Sequence, residues 1–322
     1  MARTIKIAAA QLGPNHLTSR REEVVDGMLR LLVELEMYFE HGNLLASPTT
    51  AAFFSEAKNL SMDVSIGFAE RTPEGECSTR QSTILLLHTP SSASTAKPTS
   101  QGSWILYLIR TQSINSRRDI SSQETLASPH SELQPWLRLP LNILTLKIPR
   151  SSSEGESRRG DPIFGMIICN DRRWPEAWRC LALQGTEVVF CGYNTQGYCP
   201  ELAGTSPHKP QSKAEAEAAA LVDHLLVMQS NCYLKSVFGV CAAKAGLEDG
   251  KFDLIGGSCI IDPKGRILAM AENRGDEVIV ADCDLNEVKY GRSAIFDFDR
   301  HRRVEAYGLI TCQTGVVEPP FL

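Results

Sequence analysis

Residues 165–179, GMIICNDRRWPEAWR, set a thiol, Cys169, and two guanidiniums, Arg172 and Arg173, between a strand-like apolar run and a helix that opens on Pro175. A side chain at the C-terminal end of a strand, just ahead of a helix, projects from the sheet edge, where α/β folds place reacting groups. The free N–H groups and positive dipole end of the helix favour a thiolate and can donate to an oxyanion. Pro175 suits a first helical turn. The arginines offer forked donors matched to a carboxylate. Together these types suit attack by sulfur on a carbonyl of a small, carboxylate-bearing substrate. Consecutive arginines also occur as solvated surface pairs, and Asp171 could pair with one of them for structure alone.

The elements around this corner alternate between strand and helix. IFGMIIC reads as the strand that carries Cys169, PEAWRCLALQG as the helix behind it, and EVVFCGYN as the next strand, ending at Asn194 and Thr195. EAEAAALVDHLLVMQSNCYL follows as a helix, SVFGVCAAKAG as a strand, GSCIIDPKGRILAMAE as a hairpin turning on DPKG, and EVIVADCDL as a last strand before a polar tail. Upstream, IKIAAAQL is a strand. REEVVDGMLRLLVELEMYFEHG is expected as one helix, with Val25, Met28, Leu29, Leu32, Leu35 and Phe39 on its apolar face and Gly42 as its stop. FFSEAKNLSM is expected as a short helix, and VSIGFAE and STILLL as strands. The alternation predicts an α/β layered fold. It breaks at TPSSASTAKPTSQ, where nine of thirteen residues are Ser, Thr or Pro, and 89–150 is expected to be irregular.

Length and charge narrow the class. The 322 residues are 43% hydrophobic and 22% charged, with a net charge of −5, an ordinary globular profile. No basic patch is present of the kind that nucleic-acid binding requires, so no nucleic-acid partner is expected. No apolar stretch reaches the ~20 residues that span a bilayer, and the polar NHLTSRREE leaves no room for a leader, so no membrane partner is expected and the location is read as cytoplasmic. The ten cysteines show no Cys-x-x-Cys pair and no His at zinc-finger spacing, which gives no sign of a metal. Most lie in apolar runs and read as reduced, buried thiols.

CNDRRWPEAWR and the downstream GYNT resemble the nitrilase, or carbon–nitrogen hydrolase, superfamily, and within it the branch that hydrolyses N-carbamoyl-D-amino acids. AAAQLGP, VSIGFAE, HLLVMQS, GSCIIDPKGRILA and YGLI agree with it in order. The resemblance implies a four-layer αββα sandwich, here incomplete. Its domain would span 4–311, interrupted by the stretch 89–150, with a tail at 312–322. It also implies a homodimer or homotetramer built by helix packing, no cofactor, and a site of Glu, Lys and Cys. Cys169 would be the nucleophile, Arg172 and Arg173 the grip on the substrate carboxylate, Asn194 and Thr195 the polar corner of the next strand, and the backbone N–H of Asn170 an oxyanion donor.

The other two catalytic groups have no counterpart. Where the family has Phe-Pro-Glu this chain reads ASPTTAAFF, and Glu40 and Glu56 fall at expected helix positions. Where the family Lys should stand, ILYLIRTQS puts Thr111, with Arg110 beside it, and arginine is a poor substitute for a positioned ammonium. Lys235 stands where relatives tend to have a small polar residue. An altered reading of the gene over 46–52 and 89–150 would explain the loss of whole segments; a non-catalytic binding subunit and an amidase or nitrilase of another branch stand as alternatives.

Overall fold

The computed structural model describes residues 3–20, 162–198 and 212–319, the strands at 36–40, 64–71, 77–89, 103–112 and 146–147, and helical residues at 23–24, 26–27 and 55–56. In chain order the described strands are β1 (Thr4–Gln11), β2 (Glu36–Glu40), β3 (Val64–Arg71), β4 (Cys77–Thr89), β5 (Ser103–Gln112), β6 (Leu146–Lys147), β7 (Ile163–Ile168) and β8 (Val188–Tyr193). They continue with β9 (Phe238–Ala243), β10 (Ala245–Glu248), β11 (Phe252–Ile255), β12 (Cys259–Ile261), β13 (Ile267–Met270) and β14 (Glu277–Asp284). The longer helices are α1 (Pro175–Leu183), α2 (Lys213–Lys235) and α3 (Asn286–Ala294).

The central sheet has the order β13-β12-β9-β8-β7-β6, and β7, β8 and β9 run parallel. Parallel strands are covered on both faces, which is why these three read as apolar runs rather than alternations. One face carries Ile167, Val189 and Cys241 against Trp178 and Leu181 of α1 and Met228 and Cys232 of α2. The other carries Val188, Phe238 and Val240 against Ile7 and Ala9 of β1 and Ile279 of β14. Each fully buried large apolar side chain contributes roughly 1.5–3 kcal/mol. A second layer consists of the sheet β2-β3-β4-β5 and the antiparallel pair β1-β14; β3 approaches β8, and β4 and β5 approach β7. The fold is mixed α/β, as expected, with sheet packed on sheet and α1 and α2 against the outer face of the central one.

Local chemistry sets the element ends. Ser212 and Glu215 form a reciprocal capping box at the start of α2, and the helix closes on Ser236 with φ 50°. Gly239 lets α2 approach β9, since a Cβ there would meet Cys232 Sγ at 2.5 Å. The β12–β13 hairpin turns at Asp262, whose Oδ1 accepts from Lys264 N (2.8 Å) and Arg266 N (2.9 Å), with Gly265 at φ 77°.

The structure departs from the sequence expectations in three places. Glu36–Glu40 is not the end of a long helix but a strand, paired in parallel with β3. The aromatic run EMYFE suits a strand, and pairing along β3 overrides a helical period that continues through it. Within 89–150, β5 and β6 are strands, β5 pairing with β4 from Arg80↔Gln112 to Thr89↔Ser103. The polar segment after β14 carries α3 and shorter helical turns. The rest of 89–150, most of FFSEAKNLSM, and residues 28–35 of the expected first helix lie outside the described residues.

Candidate active site

Strand β7 ends at Ile168, and the chain turns at once into a five-residue 3-10 turn, Cys169–Arg173, before α1 begins at Pro175. Cys169 takes φ 46°, in the left-handed region, which lifts its side chain off the strand line. Asp171, 1% exposed, closes the turn: its Oδ2 accepts from Ile168 N at 3.2 Å, and its carbonyl accepts from Trp174 N at 3.1 Å.

Arg172 points inward. It is 1% exposed; Nη1 donates to the Cys169 carbonyl at 2.7 Å and Nη2 to Thr195 Oγ1 at 2.7 Å, and the guanidinium lies 4.3 Å from the centroid of the Tyr193 ring. The Arg172 carbonyl accepts from Trp178 Nε1 (2.9 Å) and Asn231 Nδ2 (3.2 Å), and Lys235 Nζ donates to Asn231 Oδ1 at 2.8 Å. This revises the expectation that both arginines grip a carboxylate. Arg172 spends both Nη groups on the protein itself and so ties the Cys169 turn after β7 to the corner after β8.

Arg173 is the guanidinium at the surface, with Nη1 donating to Asn170 Oδ1 at 3.0 Å. Partial burial, then the charge of Arg172, lower its pKa, while Cys169 and Asp223 act the other way. Cys169 Sγ faces the end of β8, 3.8 Å from the Asn194 carbonyl and 4.0 Å from Asn194 Oδ1. Thr195 is half-buried, and its carbonyl accepts from Ile255 N at 2.9 Å. All six residues singled out from the sequence therefore gather at one edge, the C-terminal ends of β7 and β8. Lys235 is buried, and desolvation, followed by the Arg179 charge, brings its ammonium down to about 8.

Tyr193, His224 and Asn231 also back the turn, and sequence reasoning passed over them. Tyr193, buried, donates from its hydroxyl to the Gly256 carbonyl at 2.6 Å and stacks on His224 with ring centroids 4.5 Å apart. His224, Asn231 and Lys235 form a buried polar stripe on α2; the helical spacing of these polar residues within HLLVMQSNCYLK was the available signal. Lys244, just past β9 on the same edge, pairs with Glu248. The segment where the family Glu would stand, 46–54, lies outside the described residues. Arg110 and Thr111 sit on β5 opposite Ser82 and Gln81. Glu40 is on β2, not on a helix, and Glu56 is helical.

Burial, and next the Arg172 charge, hold the His224 imidazole at about 3 against an ordinary 6.5. The unfolded chain takes up this proton near pH 6.5 and the folded protein resists it, so stability from this group is present above pH 6.5 and falls as pH drops toward 3. Between pH 6.5 and 5 the loss is about 2 kcal/mol. Urea midpoints of the parent and of His224→Gln, compared over that interval, are expected to fall more steeply for the parent.

Residues 98–293 match the carbon-nitrogen hydrolase family. Over 160 residues the chain is 29% identical to N-carbamoylputrescine amidase of Arabidopsis thaliana, covering 47% of this chain and 48% of that protein. Over 149 residues it is 29% identical to citrullinase of Francisella tularensis, covering 44% of this chain and 46% of that protein. The chain thus spans about half the length of the curated relatives it matches. The fold is similar to that of the crystal structure of Saccharomyces cerevisiae Nit3, a member of branch 10 of the nitrilase superfamily, with a TM-score of 0.57 at 16% identity over 94% of this chain and 97% of that one. It is also similar to a carbon-nitrogen hydrolase from Helicobacter pylori, with a TM-score of 0.55 at 16% identity over 96% and 99%.

Proposed function

Because the chain belongs to the carbon-nitrogen hydrolase family, we propose that it cleaves ureido carbon–nitrogen bonds through Cys169, with N-carbamoyl-D-amino acids as the substrate class. The observation that carries this reading is the turn itself: a thiol held at φ 46° at the end of a central parallel strand, with Asn194 against its sulfur and the Arg173 guanidinium next to it. Relatives named for N-carbamoylputrescine and citrulline support a ureido carbonyl as the reacting group. Arg173 at the surface supports a carboxylate on the substrate.

In this mechanism the Cys169 sulfur adds to the ureido carbonyl, and the Asn170 N–H donates to the oxygen that becomes negative. The intermediate collapses with cleavage of the C–N bond to the terminal nitrogen, which leaves as ammonia after taking up a proton. Water then displaces the thiolate from the remaining thioester, giving an N-carboxy amino acid that releases carbon dioxide and the free D-amino acid. Turnover is expected to be low, since the family Glu and Lys have no counterpart in the sequence. That loss also favours a second reading, a non-catalytic subunit that keeps the corner as an anion pocket.

Ammonia release from N-carbamoyl-D-phenylalanine and N-carbamoyl-D-alanine, with Cys169→Ala as blank, tests the proposal. Slow release above the blank supports it. Release equal to the blank overturns it in favour of the binding subunit, and a preference for N-carbamoylputrescine overturns the carboxylate assignment.

For assembly we propose a homodimer through α2, whose outer face exposes Val222, Leu226 and Tyr233 at helical spacing. Light scattering on the eluting protein is expected to give twice the chain mass, and Leu226→Glu to give the monomer. No helix among the described residues is long and apolar enough to cross a membrane.

A further inference from the structure

Cysteines stand side by side across the central sheet. The register pairs Cys191 of β8 with Cys241 of β9, and Cys241 with Cys259 of β12. All three are buried, in one core cluster with α1 and α2. Helix α2 covers the row and brings His224 and Met228, one turn apart, down onto it. Met228 Sδ lies 3.4 Å from Cys241 Sγ, and His224 Nε2 lies 3.8 Å from Cys259 Sγ. The ligand atoms of His224, Cys241 and Cys259 all lie within 4.8 Å of one another. His224 is 2% exposed, and it is Nε2 that it turns toward the Cys259 thiol.

We propose that these side chains bind a soft d10 cation, copper(I), with Cys241, Cys259 and His224 as ligands and Met228 Sδ completing the shell. The donor set decides the class of ion. Thiolate, thioether and imidazole select soft metals and disfavour magnesium and calcium, and the thioether favours copper(I) over zinc. Thiolate is the ligating form of cysteine, so both thiols ionise on binding. Binding forms two sulfur–metal bonds at the expense of two S–H bonds, the protons leaving to solvent, and involves no change of oxidation state. No spacing in the sequence announces the site, because its ligands come from α2, β9 and β12 and meet only through the sheet register.

The site lies one layer behind the nucleophile turn. His224 stacks on Tyr193, Tyr193 carries Arg172, and Arg172 holds the Cys169 carbonyl. Occupancy would therefore stiffen the support of the turn without touching substrate.

The test reads metal rather than turnover, so its outcome is independent of whether the chain hydrolyses anything. The reduced full-length protein is first treated with iodoacetamide under native conditions, which caps accessible thiols such as Cys169 and Cys312 and spares the buried ones. It is then equilibrated anaerobically with copper(I) bicinchoninate. One equivalent of copper per chain is expected to leave the chelator, and X-ray absorption is expected to show sulfur and imidazole nitrogen around it. Cys241→Ser and Cys259→Ser are each expected to lose that equivalent. Met228→Leu, a near-isosteric core change that keeps the fold, is expected to weaken binding about tenfold, or about 1.4 kcal/mol. Failure to withdraw copper, retention of the full equivalent in both serine variants, a shell without imidazole, or displacement of copper(I) by equimolar zinc would each overturn the proposal.

Discussion

Cys169→Ala is expected to bring ammonia release from an N-carbamoyl-D-amino acid down to the uncatalysed rate and to remove the covalent adduct that intact-mass measurement detects after acid quenching of the parent. Loss of a nucleophile in a fully equipped site costs on the order of 10⁶ in rate. On the proposed function the parent would work without the family base, so the measured ratio is expected to be nearer about 10³, limited by the parent rather than by the variant. Stability should barely change. Cys169 is only half-buried, alanine meets the same backbone restriction at φ 46° as cysteine, the bond from Arg172 goes to the backbone carbonyl, and the thiol donates to Asn194 only at long range. A melting temperature equal to the parent's together with a lost adduct separates a chemical role from a structural one.

Arg172→Met should do the reverse and unfold the corner. The substitution keeps bulk but removes the two Nη donors, leaving the Cys169 carbonyl and Thr195 Oγ1 without their partner in a buried setting. Leaving two buried acceptors unpaired costs roughly 1–3 kcal/mol each, which urea denaturation reads directly. Arg172→Lys should recover only part of it, because one ammonium cannot span both acceptors and still lie over the Tyr193 ring. Arg173→Ala makes the contrast. The arginine is exposed, and among the described residues its guanidinium bonds to Asn170, so stability should change by no more than about 0.5 kcal/mol. Its effect should fall on KM for the carboxylate-bearing substrate, with kcat little altered.

Much of this architecture is legible in the residues. The runs IFGMII, VVFCGY and FGVCAA sit between clear turn or helix signals, and each folds as a central strand. DPKG makes the hairpin turn it announces. Cys169 also follows from sequence, because it lies at the end of such a strand, whereas Asn194 and Thr195 are legible only through the family resemblance. What periodicity misses is competition between patterns. EMYFE continues the spacing of the helix before it, yet backbone pairing with β3 makes it a strand. WILYLIRT lies in a stretch with no regular alternation, and only its partner β4 gives it order. The direction of Arg172 is hidden for a different reason. Its acceptor Thr195 is 23 residues away, and nothing local distinguishes the inward arginine from its outward neighbour.

The backbone at Cys169 has a thermodynamic side as well. A φ of 46° is comfortable for glycine and costs a residue with a Cβ on the order of 1 kcal/mol. The bonds around it, from Ile168 to Asp171 and from Arg172 to the Cys169 carbonyl, hold the residue in that conformation despite the cost. The fold thus gives up stability at one position, and it is the one where the thiol must stand clear of the sheet. Glycine there would make a firmer protein, but one without the thiol that the proposed hydrolysis requires.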